Sequence, residues 1–149
     1  MSNPRLSAET WESLLRAQVT LMRRFERAGD FAPLRAREYD VLFQLSKEPR
    51  GALRLWELNE RIMLTQPSLS RMIERLESKD LVRRDPAPDD ARGLLVRLTP
   101  AGAELQRQVG RRHVRSIQRY VGGALDEQQL CTLADLTARL YRAQPSLPD

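Results

Sequence analysis

A mainly α-helical fold with a small β-wing is predicted by three observations on the 149-residue sequence. Apolar residues recur at helical spacing in six stretches. Two short strand-like runs, 81–85 and 93–99, flank a connection rich in Pro and Asp. The hairpin they imply follows a tight helix-to-helix junction, and helices lie at both ends of the chain.

The elements follow in order. Residues 8–28 place Trp11, Leu14, Leu15, Val19, Met22 and Phe25 on one helical face, with Ser7 as the expected cap and the first helix over 7–28. After the break from Gly29 to Pro33, Leu34, Tyr39, Leu42, Phe43 and Leu45 repeat the pattern, and Pro49 with Gly51 ends it. Residues 52–55, ALRL, read as an edge strand awaiting a partner, and 56–63 as a short third helix. Thr65 is the expected N-cap of the fourth helix, with Pro67 in its first turn, where a missing N–H costs nothing. Leu69, Met72, Ile73 and Leu76 form its apolar face; Gln66 to Lys79 would measure about 20 Å at 1.5 Å per residue.

Between the strands, Pro86 and Pro88 are expected to stiffen the connection and Gly93 to turn the chain back. Thr99 and Pro100 cap and open a fifth helix, which Gly122 and Gly123 close. Asp126 with Gln129 forms a capping-box start for the sixth.

Composition narrows the function. With 41% hydrophobic and 30% charged residues, a folded single domain over 1–149 is expected rather than disorder. No run approaches the roughly 18 apolar residues of a membrane span, and MSNPRLSAETWE lacks the apolar core of a signal peptide. The expected location is therefore cytoplasmic, with no membrane partner. Cys131 is the single cysteine, which excludes an intramolecular disulfide and a thiolate zinc site. No metal, cofactor or catalytic constellation is expected, so the chain does not read as an enzyme.

The net charge of +5 permits a nucleic-acid partner, and position carries the argument. Helix, tight junction, helix and hairpin in that order make a winged helix-turn-helix over 34–99. Such a fold reads the major groove with the start of its second helix. Here that start offers Thr65, Gln66, Pro67, Ser68, Ser70 and Arg71, in which Gln suits adenine, Arg suits guanine or phosphate, and Ser suits either base or backbone. Arg75, Lys79 and Arg84 have two readings, as phosphate contacts or as partners of Glu74, Glu77 and Asp80. Residues 105–120 hold five arginines and no acid. Their alternation with Val109 and Ile117 reads as a solvated or interfacial face. His113 reads either as structural or as lining a ligand pocket, as do Trp11 and Arg16.

Residues 68–102, SLSRMIERLESKDLVRRDPAPDDARGLLVRLTPAG, resemble the signature of the MarR (multiple antibiotic resistance regulator) family. The matching positions are Ser70-Arg71, Arg75-Leu76-Glu77, Leu81-Val82-Arg83-Arg84, Asp90-Ala91-Arg92, and Leu98-Thr99 with Gly102. Asp80 departs from the pattern, standing where the family usually has Gly; the position needs left-handed backbone, which Asp tolerates better than most residues.

The resemblance implies a dimeric, ligand-responsive repressor of transcription that binds a near-palindromic double-stranded DNA operator. It implies that 7–28 and 100–143 form the homodimer, that Arg92 enters the minor groove with Asp90 holding its guanidinium, and that a small-molecule effector is a further partner. Cys131 lies in the sixth helix, away from the N-terminal reactive cysteine of the family's peroxide-sensing branch. The competing expectation is a winged-helix protein-interaction module without sequence-specific DNA binding, which has no use for Arg92.

Overall fold

A computed structural model describes residues 3–63 and 67–146, with the backbone alone for 90–92. The helices are α1 (Pro4–Arg27), α2 (Ala36–Ser46), α3 (Leu55–Arg61), α4 (Leu69–Ser78), α5 (Pro100–Ile117) and α6 (Glu127–Ala143). The strands are β1 (Ala52–Arg54), β2 (Val82–Ala87) and β3 (Asp90–Leu98). The sheet is antiparallel in the order β1-β3-β2. This is the mainly α fold with a β-wing that the apolar periodicities predict. Among the described residues, no helix is long and apolar enough to cross a membrane.

The chain divides into two compact units, Met1–His113 and Val114–Asp149. In the first, the core joins Val41, Leu42 and Leu45 of α2 to Leu53 of β1, Leu58 of α3, Ile73 and Leu76 of α4, Val82 and Val96 of the hairpin, and Val109 of α5. Each fully buried Leu or Ile contributes about 1.5–3 kcal/mol relative to exposure. In the second, α6 opens with the expected capping box: Gln129 N–H donates to Asp126, and the Gln129 side chain accepts from the Asp126 amide. The last turn before Gly123 is a π-helix, Gln118–Gly122.

Three boundaries differ from the sequence reading. First, α1 begins three residues earlier than Ser7: Pro4 occupies its first turn, and Asn3, not Ser7, is the cap, accepting from the Arg5 amide at 2.9 Å. Ser7 instead donates its hydroxyl to the Asn3 carbonyl.

Second, α4 starts at Leu69, with Ser68 as its cap accepting from the Arg71 amide. Thr65 is therefore not the cap and Pro67 precedes the helix. Two cap candidates stand three residues apart, and a side-chain oxygen with an amide in reach selects the later one. The helix is about 15 Å long rather than 20 Å.

Third, the strands run on through the expected seven-residue connection. Pro88 and Asp89 alone make the turn, and Gly93 lies within β3. Pro86 stays in β2 because β2 is an edge strand, where a missing N–H breaks no ladder bond. The register shifts between Pro86, which faces Leu94, and Ala87, which faces Asp90. Residues 91–93 are thus accommodated opposite a single step of β2.

Candidate nucleic-acid interface

The apolar spacing of α4 decides what it offers to solvent. Leu69, Met72, Ile73 and Leu76 are buried, so Ser70, Arg71, Glu74 and Arg75 are exposed on the opposite face. Pro67 is exposed and Ser68 half-buried beside the helix start. Thr65 and Gln66 lie outside the described residues. Pro67, Ser68, Ser70 and Arg71 are therefore brought to the start of the helix, the end that carries the positive pole of its dipole, while Arg75 lies on the same exposed face in the last turn.

The chain where it leaves α3 and the exit from α4 are fixed by bonds that composition does not reveal. On the entry side, the Asp40 carboxylate on α2, 3% exposed, accepts from the Met63 amide at 2.6 Å and from Gln44 at 3.1 Å. A buried carboxylate thus holds the chain just where it leaves α3.

On the exit side, the Asp80 amide donates to Glu77 O and the Leu81 amide to Leu76 O. This 5→2 and 6→1 pair is a Schellman closure. Asp80 occupies its left-handed position at φ 58°, a backbone region that glycine enters most readily and Asp tolerates better than most residues. Lys79 donates to the buried Glu38 carboxylate on α2 at 3.2 Å, so its partner comes from another helix and not from Glu74, Glu77 or Asp80.

The hairpin is bolted to α4 through Arg84. Its guanidinium meets Glu77 in two bonds of 2.8 and 3.0 Å, its backbone amide donates to Glu77 at 2.9 Å, and Glu74 lies 3.7 Å away. The Arg84 hydrogen bonds pull the Glu77 carboxyl below its ordinary value, and the same contact raises Arg84. Of its two readings, Arg84 takes the ion pair. Arg75 takes no acid partner among the described residues and lies 3.7 Å from the Met72 sulfur.

At the tip, Asp89 pairs with Arg54 at the start of α3, and that hydrogen bond lowers the Asp89 carboxyl. Asp90 and Arg92 lie in β3, but their side chains are outside the description.

The hairpin returns to α5 through a close joint. Thr99 donates its hydroxyl to Asp80 O at 2.6 Å and accepts from the Gly102 amide at 2.9 Å. A Cβ on Gly102 would sit 2.0 Å from Leu81 O, so the Thr-x-x-Gly spacing is a steric necessity.

Farther along α5, His113 Nδ1 lies 2.8 Å from the carboxylate of Asp30, which is 1% exposed, with the Phe25 and Phe31 rings 4.7 and 4.9 Å away. Arg112 donates to the carbonyls of Asp30 and Ala32. These contacts anchor the α1–α2 connection to α5, a structural placement for His113. Trp11 is 61% exposed and Arg16 pairs with Glu12 at 2.7 Å.

Asp40, Glu38 and Asp89 escape a reading of the sequence. Each acts across long sequence separation, and no local spacing marks it.

Comparison with known proteins gives the arrangement a context. Residues 34–94 match the MarR family model. The multiple antibiotic resistance protein MarR of Salmonella typhimurium is 31% identical over 90 residues, 60% of this chain and 62% of that protein. The chain thus spans less than two thirds of this relative. Sco3205, a MarR family transcriptional regulator from Streptomyces coelicolor solved in complex with DNA, shares 28% identity over 97% of this chain and 90% of its own, with a TM-score of 0.81. BpsR of Bordetella bronchiseptica, whose DNA binding is regulated by 6-hydroxynicotinic acid, shares 25% identity over 87% of this chain and 91% of its own, with a TM-score of 0.76. The helix-junction-helix-hairpin order lies within the matched residues, and the chain is similar to MarR family regulators in sequence over that lobe and in fold.

Proposed function

We propose that the chain is a sequence-specific DNA-binding transcriptional regulator, acting as a homodimeric repressor on a near-palindromic operator in the cytoplasm. The observation that carries this reading is the start of α4. A polar, arginine-bearing turn stands clear of a buried apolar face; Asp40 holds the chain where it leaves α3, and Asp80 and Arg84 fix the exit of α4. A rigid helix end of that chemistry suits base edges in a major groove.

In this reading Ser68, Ser70 and Arg71 meet bases or nearby phosphates, with Thr65, Gln66 and Pro67 at the approach. Arg75 contacts the backbone. Arg84, clamped by Glu77, holds the hairpin against α4 beside it. Arg92, oriented by Asp90, enters the minor groove at the wing.

Exposed apolar residues support a dimer. Trp11 and Leu15 on α1, and Leu133, Leu136, Leu140 and Tyr141 on α6, are open to solvent in the single chain. Faces of that size on helices 7–28 and 100–143 suit a second copy. The two recognition helices would then meet successive major grooves about 34 Å apart. A small-molecule effector would act by favouring helix separations that do not fit DNA; the BpsR likeness supports that step.

Titration of the duplex upstream of the protein's own coding region, beside a scrambled duplex at two salt concentrations, tests the proposal. Preference for the upstream duplex, with affinity falling steeply as salt rises, is expected. Equal affinity for both would favour the protein-interaction module instead.

A further inference from the structure

We propose that the groove between the first turns of α2 and α4 seats a backbone phosphate of the DNA, with Arg35 and Arg37 as its cationic wall. The inference rests on the DNA-binding reading above and extends it to α2, beyond the α3–α4 pair and the hairpin.

The groove encloses about 490 Å³. Arg35 and Arg37 line one side, Ser68, Arg71 and Arg75 the other, and Glu26 from the last turn of α1 closes the end. Since water takes up about 30 Å³ per molecule, there is room for a phosphodiester group with part of its hydration.

Four guanidiniums thus share one cavity with a single carboxylate. Among the described residues none of the four forms an ion pair, whereas Arg54, Arg61 and Arg84 are each held by an acid. Concentrated, unneutralised positive charge in a concave site favours a polyanion. In the first turn of α2 the Glu38 carboxylate accepts from the Arg35 amide at 2.9 Å, so the positive charge of the groove comes from the guanidiniums.

Continuity identifies the anion. Ser68, Arg71 and Arg75 belong both to the groove and to the exposed face of α4. A duplex whose base edges meet that face has its sugar–phosphate strands bordering a major groove about 12 Å wide, which brings one strand to the mouth of this cavity. Arg35 and Arg37 contact no base in this arrangement. They add affinity without sequence preference. Glu26 opposes the phosphate.

The test compares the full-length protein with Arg35→Ala/Arg37→Ala, Arg35→Lys/Arg37→Lys and Glu26→Gln. Each is titrated by fluorescence anisotropy against the upstream duplex and a scrambled duplex over a salt series. Melting curves first confirm folding, and a single Arg37→Gln variant replaces the double alanine variant if that one does not fold.

The alanine pair is expected to lose affinity on both duplexes by the same factor, about tenfold or more. Its slope of log K against log salt should be shallower by about 0.9 per protomer, the worth of one phosphate contact. The lysine pair should keep most of the slope, and Glu26→Gln should bind both duplexes more tightly.

An unchanged slope and affinity in the alanine pair overturns the phosphate seat. So does a loss confined to one duplex, which would mean base reading. A benzoate-induced melting shift that the alanine pair abolishes, with the DNA slope untouched, assigns the groove to a carboxylate effector and likewise overturns it. Equal affinity of the unaltered protein for the two duplexes defeats sequence-specific regulation instead, while the slope comparison stays readable on non-specific binding.

Discussion

Replacing Gly102 by Ala sets local helix propensity against tertiary packing, and the two give opposite signs. In a helix interior, Gly→Ala favours folding by about 1 kcal/mol. Here the new Cβ would lie 2.0 Å from Leu81 O, 2.9 Å from Leu81 C and 2.9 Å from Leu98 Cδ1. Ordinary carbon–oxygen contacts begin near 3.3 Å, so α5 and the β2 entry must part by about 1.3 Å.

Crowding of that kind costs about 1–3 kcal/mol. The separation also pulls on two bonds, Thr99 N–H to Leu81 O at 3.2 Å and the Thr99 hydroxyl to Asp80 O at 2.6 Å, each worth about 1 kcal/mol net. After the propensity gain, Gly102→Ala should destabilise by about 2–4 kcal/mol. That corresponds to a fall in melting temperature of roughly 4–16 °C for a chain of this size.

Urea denaturation followed by circular dichroism measures it, with Gly122→Ala as control because its Cβ meets nothing closer than 3.8 Å. A Gly102→Ala protein as stable as the parent, or more stable, would refute the joint described between hairpin and α5.

Arg92→Ala should weaken operator binding by about 1–3 kcal/mol and leave the dimer intact in sedimentation; loss of the dimer would contradict a wing role. Asp40→Ala removes the acceptor of the Met63 amide and should cost about 2–3 kcal/mol, with hydrogen exchange at Met63 accelerating before global unfolding. Burial, and the charge of Asp40 next to it, raise the Tyr39 phenol above its ordinary 10.0, against a smaller opposing bond to Gln106. Its contribution is therefore full below pH about 10 and lost as pH rises through the higher folded value; Tyr39→Phe should remove that alkaline loss in melting experiments. Glu77 is shifted the other way, below its ordinary 4.5. Its contribution is full above that value and lost as pH falls through the lower folded one, and Glu77→Gln should flatten the acid limb of the stability profile.

The parts legible in the sequence are those decided within a few residues. The periodicity of α2 and α4, the Asp126–Gln129 box, the Thr99–Pro100 start and the left-handed demand at Asp80 are local matters, and the structure carries each of them. The β1 edge strand is legible as a candidate only; its partner, β3, becomes clear in three dimensions.

The start of α4 is ambiguous in the sequence because Thr65-x-Pro67 and Ser68 are both plausible openings, and only the amide of Arg71 discriminates. The wing turn is misplaced by sequence reasoning because prolines usually end strands, while an edge position exempts Pro86. For the site, α4's exposed face follows from spacing. Its bracing by Asp40 and Glu38 does not, since both lie on α2, more than twenty residues from the groups they hold. The roles of Asp90 and Arg92 rest on the resemblance.

Selection of bound sequences from a random duplex pool tests the central claim most directly, because it presupposes no target sequence. The account predicts enrichment of an inverted repeat whose half-sites lie one helical turn apart, about 10 base pairs centre to centre. It also predicts that the enrichment disappears with Arg71→Ala. A pool that returns no enriched sequence, although the protein binds it, would contradict the reading of α4 as a base-recognition helix.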